Sequence, residues 1–200
     1  MPPRTTEPLG EAALRITLPA RRSRRALLDA LRATPHVIDV VVTDTHAAVY
    51  FDPSQPVPDL APALARANNA TDNAAVRDHV VRVVYDGPDL DEVAQLTHYT
   101  RDEVIAIHSG AIYTVAFVGF MPGFAYLDGL AERLRLPRRA IPRTRVPAGS
   151  VAIAGARSGI YPFASPGGWH LLGHVVDFVA FDPAHGATLQ SGDRVRFEPA

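Results

Sequence analysis

Ile112-Tyr113-Thr114-Val115-Ala116-Phe117-Val118 runs directly into Gly119-Phe120-Met121-Pro122-Gly123-Phe124-Ala125-Tyr126-Leu127. A β-branched and aromatic run that ends in glycine and proline reads as a strand followed by a rigid turn. The texture recurs at residues 150–154, 171–179 and 193–197, short apolar runs separated by Gly/Pro-dense loops. That spelling belongs to a barrel or sandwich. Just before it, Asp89 with Glu92 and Thr100 with Glu103 each have the spacing of a helix capping box, which predicts two short helices.

Upstream the pattern is different. Leu14, Ile16 and Leu18 alternate with Arg15 and Thr17, predicting a half-buried strand that Pro19 ends. Ser23 can cap a helix whose apolar stripe is Leu27, Leu28 and Leu31. Residues 36–43 and 45–51 read as a hairpin around Asp44, and Asp52-Pro53-Ser54-Gln55-Pro56 as a turn. A second helix over residues 60–67, a polar loop over 68–73 and a strand over 79–85 complete the order β-α-β-β-α-β of a ferredoxin-like unit. The expected fold is therefore α+β, with an N-terminal α/β domain at 1–87 and a β-barrel domain at 88–200, divided at Asp86-Gly87-Pro88.

Composition narrows the chemistry. The chain is 47% hydrophobic and 20% charged, with a formal net charge of −1. It can build a core, and it has no global basic field for nucleic acid or anionic lipid. There is no cysteine, which excludes disulfides, thiolate catalysis and sulfur-ligated zinc. All 20 Lys+Arg residues are arginine. A P-loop lysine, a Schiff base, a Ser–Lys amidase dyad and a biotin-carrying lysine are excluded with them. The N-terminus has no apolar core of a secretory signal, and no uninterrupted apolar run reaches ~18 residues, so a cytoplasmic protein is expected.

Three Gly/Pro-rich blocks could carry a site. In the first, Phe120, Phe124 and Tyr126 on a backbone stiffened by Pro122 and Gly123 either pack inward or wall a pocket. In the second, Pro137, Pro142 and Pro147 stiffen a stretch with four arginines that leads through Gly149 into Ser150. It is either a solvated basic loop or a rigid mount from which Arg143 and Arg145 hold a carboxylate or phosphate. The third contains Gly159, Tyr161, Ser165, Gly167, Gly168 and the single tryptophan, Trp169. Its glycines could present N–H groups to an anion, and Trp169 is either core or ligand wall. His170 and His174, four apart, are expected to share a face, but no third ligand is spelled nearby, so no metal is expected. No serine sits in a nucleophile elbow, and no catalytic residue announces itself.

Taken together, the strings GFMPGFAYLDGL, PRTRVPAGSVAIAG, SGIYP and SPGGW followed by LLGH resemble the family of KipI-type kinase inhibitors, also known as allophanate hydrolase subunit 1 or the B-type subunit of 5-oxoprolinase. The resemblance is strong from about Tyr113 onward and implies a cyclophilin-like barrel after a smaller α/β domain. It implies a non-autonomous subunit working with a homologous barrel subunit (allophanate hydrolase subunit 2, or the C-type subunit of 5-oxoprolinase) and a third subunit. The assembly would open 5-oxo-L-proline to L-glutamate using ATP with Mg, with no cofactor intrinsic to this chain. Alternatives within the resemblance are an inhibitor of a sensor histidine kinase and a carboxyltransferase part of a urea carboxylase-like system. Two departures stand out: Ala156-Arg157-Ser158 where relatives commonly read Asn-Gln-Thr, and His174 where they commonly carry arginine. Arg157 is a candidate to offset the cation lost at 174.

Overall fold

The computed structural model describes residues 6–18, 24–43, 45–69 and 76–200, and the chain divides into two compact units, Met1–Val76 and Arg77–Ala200. In the first unit, β1 (Thr6–Pro8), β2 (Ala13–Thr17), β3 (Val37–Val42) and β4 (His46–Phe51) form an antiparallel sheet in the order β1-β2-β4-β3. Helices α1 (Arg24–Arg32) and α2 (Ala61–Asn69) bring Leu27, Leu31 and Ala63, with Leu60 just before α2, onto the face that carries Ile16, Val40, Val42, Ala47 and Val49. The alternation read at residues 14–18 is thus real: Ile16 and Leu18 are buried while Arg15 and Thr17 face out. The expected cap Ser23, the stop at Pro19, the hairpin tip Asp44 and residues 70–73 of the polar loop lie outside the described residues.

The second unit contains β5 (Asp78–Val84), α3 (Leu90–Thr97), α4 (Arg101–Ser109), β6 (Ile112–Val118), β7 (Ala125–Asp128), β8 (Arg143–Val146), β9 (Ser150–Ala154), β10 (Arg157–Ile160), β11 (Ser165–Gly167), β12 (His170–Val176), β13 (Phe181–Asp182), β14 (Gly186–Ala187) and β15 (Arg194–Pro199). Seven of these strands close a barrel in the order β10-β7-β6-β15-β5-β12-β9, with β9 returning to β10. All its pairings are antiparallel except β15 with β5.

One boundary needs correction. The strand expected to complete a ferredoxin-like domain is β5, and it lies between β12 and β15 in the barrel, with Val81 and Val83 in the barrel core. Its apolar residues find their partners there, while β1 occupies the edge of the first sheet beside β2. The division therefore falls at Val76/Arg77 and not at residue 87.

The barrel interior joins Tyr113, Val115, Leu127, Val151, Ile153, Leu172, Val195 and Phe197 with Leu90, Val93 and Val104 from the two helices. A second apolar cluster on the opposite faces of β9, β10 and β12 holds Phe124, Ala152, Ala154, Tyr161, Trp169 and Leu171. Inside the barrel core sits one polar chain. Tyr85 Oη is 2.8 Å from His108 Nδ1, and His108 Nε2 is 2.9 Å from Ser158 Oγ. Ser158 spends its own proton on the Ala152 carbonyl at 3.2 Å. Nε2 must therefore carry the ring proton and Nδ1 accept from Tyr85, a single tautomer that satisfies every group.

Burial pushes the pKa of His108 down to about 3 from 6.5. A histidine whose folded pKa is depressed contributes fully above its unfolded value, and that contribution fades as pH falls from there towards the folded value. Denaturant unfolding is expected to show a loss on the order of 2 kcal/mol between pH 7 and pH 5 from this residue alone. His108→Gln should flatten that part of the profile, and an unchanged pH dependence in the variant would contradict the buried neutral imidazole.

Candidate functional site

The arginine-bearing arm at residues 137–147 is held at several points. Arg143 and Val146 of β8 pair with Gly167 and Ser165 of β11, and Arg139 N–H donates to the Gly168 carbonyl at 2.8 Å. The decisive anchor is Asp89, at the start of α3, whose side chain is only 3% exposed. Arg143 grips it with two parallel bonds, Nη1 to Oδ2 at 2.8 Å and Nη2 to Oδ1 at 2.5 Å. Arg139 Nη1 donates to Oδ1 at 2.8 Å, and the Leu171 N–H of β12 donates to Oδ2 at 2.7 Å. Arg139 also pairs with Glu92. Burial would raise the Asp89 pKa, but the Arg143 hydrogen bonds, the Leu171 N–H and the two guanidinium charges outweigh it and hold the carboxyl below its usual range. The capping-box reading of Asp89 is corrected accordingly: it makes no side-chain cap bond, because its carboxylate is committed to the arginines.

Beside this anchor lies a cleft of about 490 Å³, lined by Asp86, Gly87 and Pro88, by Arg143, Arg145, Pro147 and Ala148, and by Ser150, Leu171, Gly173 and His174. Gly173 makes the cleft floor possible: a Cβ there would stand 2.1 Å from the Val84 carbonyl oxygen, so only glycine lets β12 approach the end of β5 this closely. His174, opposite Val84 in the register, then meets Asp86, Nδ1 to Oδ1 at 2.8 Å.

The two arginines expected to hold an anion behave differently. Arg143 does hold a carboxylate, but it is the chain's own Asp89. Arg145 is exposed and lines the cleft, and among the described residues it has no hydrogen bond or ion pair. It is the guanidinium available to a ligand. Ser150 is 4% exposed and donates to the Pro147 carbonyl at 2.8 Å, which shapes the rim and leaves no free nucleophile.

The expected aromatic wall is elsewhere. Phe124, Tyr161 and Trp169 are buried in the second apolar cluster with Tyr126 packed against them, and none lines the cleft. Phe124 meets Trp169 and Tyr161 edge-on, with ring centroids 5.5 and 5.2 Å apart. The glycines read as anion cradles serve these rings: a Cβ on Gly167 would lie 2.4 Å from Tyr161 Oη, and Gly159 faces Phe124 and Trp169. Gly149, at φ +80°, donates to the Tyr161 carbonyl at 2.7 Å. Pro122 is exposed on its turn, Gly123 packs against Ala180 and Phe181, Ser165 bonds within its own strand, and Gly168 meets Pro142. Phe120, left-handed at φ 73°, is 63% exposed over Phe124.

Two further readings are corrected. A bulge between Leu171 and Gly173 breaks the alternation of β12, so His170 pairs with Ile153 and His174 with Ser150, three residues apart on β9. The two histidines therefore point to opposite faces: His170 is buried against the Pro137 carbonyl at 3.0 Å, while His174 opens to the cleft. Arg157 pairs with Ala154, at the far end of β9 from Ser150 and His174. It ion-pairs with Asp128 at 2.7 Å and lies over Phe117, so it does not replace a cation at 174.

The residues that sequence reasoning missed are Asp86, taken only as part of the domain boundary, together with Asp89 and Arg139. The spelling of each has a more ordinary meaning, and their contacts join distant positions: Asp89 lies 54 residues from Arg143 and 50 from Arg139, and Asp86 lies 88 from His174.

The fold, a closed barrel and a small α/β unit, is that of a carboxyltransferase-domain protein. The chain belongs to the carboxyltransferase domain family, subdomains C and D, which it matches over residues 4–189. It is 39% identical over 206 residues to the B-type subunit of 5-oxoprolinase from Haemophilus influenzae, covering 95% of each chain. It is 49% identical to the B-type 5-oxoprolinase subunit of Escherichia coli O157:H7 over 124 residues, covering 60% of this chain and 56% of that one. The crystal structure of TTHA0988 superposes with a TM-score of 0.78 at 36% identity, over 94% of this chain and 40% of the longer one. Kluyveromyces lactis urea carboxylase shares the fold at 18% identity, with a TM-score of 0.71 over 98% of this chain and 22% of that one. Among the described residues, no helix is long and apolar enough to cross a membrane.

Asp89→Asn leaves the half-buried Arg143 guanidinium without its counter-charge and Arg139 with Glu92 alone, and should cost roughly 3–5 kcal/mol of stability at pH 7. Because the folded pKa is lowered, the wild-type advantage is present above the unfolded value near 3.8 and is lost as pH falls through the folded value. Denaturant unfolding of both proteins at pH 7 and again at pH 3 should show the gap narrowing with acid. A gap that widens would refute the anchor.

Proposed function

We propose that this chain is the B-type subunit of an ATP-dependent 5-oxoprolinase complex, and that its cleft receives a small cyclic amide bearing a carboxylate. The observation that carries the reading is the end-to-end match to a protein named as the B-type subunit of 5-oxoprolinase. The cleft supports it chemically. 5-Oxoproline offers one carboxylate, and Arg145 offers one guanidinium whose planar fork suits it. Asp89 occupies Arg143, so a single anionic group can be paired by arginine, which favours a monocarboxylate over a polyanion.

The rest of the reading is division of labour. The chain has no lysine or cysteine, and Ser150 is committed to the Pro147 carbonyl, so the cleft offers no side-chain nucleophile of these kinds. ATP with Mg would then be handled by the assembled complex, with a homologous C-type barrel subunit and a third subunit supplying the remaining groups. Phe120, Phe163 and Val179 are 63%, 42% and 65% exposed, apolar surface of the kind that supports partner subunits. The complex would act in the cytoplasm.

Tagging the chain in its own host, isolating the complex and measuring ATP-dependent glutamate release from 5-oxoproline tests this reading. Turnover is expected, with kcat/KM lowered about tenfold or more by Arg145→Ala while the complex still assembles. No turnover with a homologous barrel bound would move the substrate to other small amides. Recovery of a sensor histidine kinase alone would replace the enzyme reading with an inhibitor.

A further inference from the structure

Within the cleft proposed above as the substrate site, we infer that the Asp86–His174 pair is a proton-accepting dyad, with His174 as general base and Asp86 as its positioning residue. The geometry is an imidazole whose Nδ1 is bound to a carboxylate at 2.8 Å, on a residue that lines the same cleft as the unpaired Arg145. A carboxylate accepts only, so it fixes the proton on Nδ1 and leaves Nε2 as the basic nitrogen. Among the described residues Nε2 has no partner.

Stability does not explain the pair. Its side chains are 48% and 58% exposed, and an exposed ion pair adds little to folding. Orientation is what it provides, and the backbone enforces it. Gly87, next to Asp86, donates its N–H to the Leu172 carbonyl at 3.0 Å, and Gly173 abuts Val84, so the two side chains rise from strand ends that cannot separate. The other charged groups facing the cleft are Arg143, already neutralised by Asp89, and Arg145. An imidazolium formed at His174 therefore finds its counter-charge in Asp86.

For a lactam held through its carboxylate on Arg145 and phosphorylated on its carbonyl oxygen by ATP in the assembled complex, the dyad serves the water that adds to the carbonyl carbon. One O–H bond of that water breaks and an Nε2–H bond forms. The oxygen keeps the electron pair and adds to the carbonyl carbon, and the proton passes from Nε2 to the ring nitrogen as the C–N bond opens. The step consumes one water, leaves an acyl phosphate that a second water hydrolyses to glutamate and phosphate, and leaves His174 neutral again.

The test joins one spectroscopic and one kinetic readout. In two-bond 1H–15N spectra of the full chain at neutral pH, His174 is expected as the Nδ1–H tautomer, lost in Asp86→Ala; an Nε2–H tautomer in the wild type overturns the dyad whatever the complex catalyses. In the isolated complex, His174→Gln and His174→Arg should each lower kcat at least tenfold with KM within about threefold of wild type. Both should also lose the rise of kcat with pH that a single deprotonation gives. Wild-type turnover in His174→Arg would show that only a cation is needed there, and would overturn the base. Loss in the His174 variants with none in Arg145→Ala would keep the dyad and remove the anchor. If the complex releases no glutamate from 5-oxoproline, the substrate reading fails, and the tautomer decides the dyad by itself.

Discussion

The Asp89 carboxylate is withdrawn from water almost completely, a step that costs several kcal/mol for an isolated ion even after relaxation. Four N–H donors offset that cost, two from Arg143, one from Arg139 and one from the Leu171 backbone. Those donors come from distant parts of the chain, so the carboxylate fastens the start of α3, the arm carrying β8 and the first residues of β12 at one point. Without it, the arm would present two adjacent guanidiniums to one another and to solvent. With it, Arg143 becomes part of the scaffold and Arg145, two residues on, is the cation presented to the cleft.

The cleft follows from that constraint together with the close approach of β12 to the end of β5. The same packing that lets Gly173 touch Val84 brings His174 to Asp86, so the polar groups on the two sides of the cleft are placed by backbone contacts and a buried ion cluster. This is how a site is kept in shape in a Gly/Pro-rich region with little regular structure. The aromatic residues nearby have a different task. Phe124, Tyr161 and Trp169 form a second core on the outer face of the barrel and support the loops from beneath.

Much of the fold was legible because strand residues with one buried face alternate visibly, as at 14–18, and because Gly and Pro punctuate the barrel strands. Helix caps show where such reading ends. Thr100 and Glu103 form the full reciprocal box their spelling implies, with Thr100 N–H donating to Glu103 at 2.7 Å. Asp89 and Glu92 have the same spacing, yet both carboxylates turn to arginines some fifty positions away. Local spacing cannot show a competitor that distant. The placement of β5 had the same difficulty: an alternating strand announces a buried face, and not which sheet will bury it. The bulge in β12 hid the opposite facing of His170 and His174, since a one-residue insertion leaves no mark in the spelling. Of the candidate site, the arginine arm was legible from its prolines, whereas the glycine and aromatic blocks were rich in signal that belonged to packing.

A crystal structure of the complex isolated from its host, soaked with 5-oxoproline, tests the central claim most directly. The account expects the ligand carboxylate within hydrogen-bonding distance of the Arg145 guanidinium, in the cleft bounded by Asp86, Pro147 and His174, with Arg143 still on Asp89. A ligand bound on another subunit, with Arg145 instead paired to a partner's carboxylate, would contradict it and make the arm an assembly device.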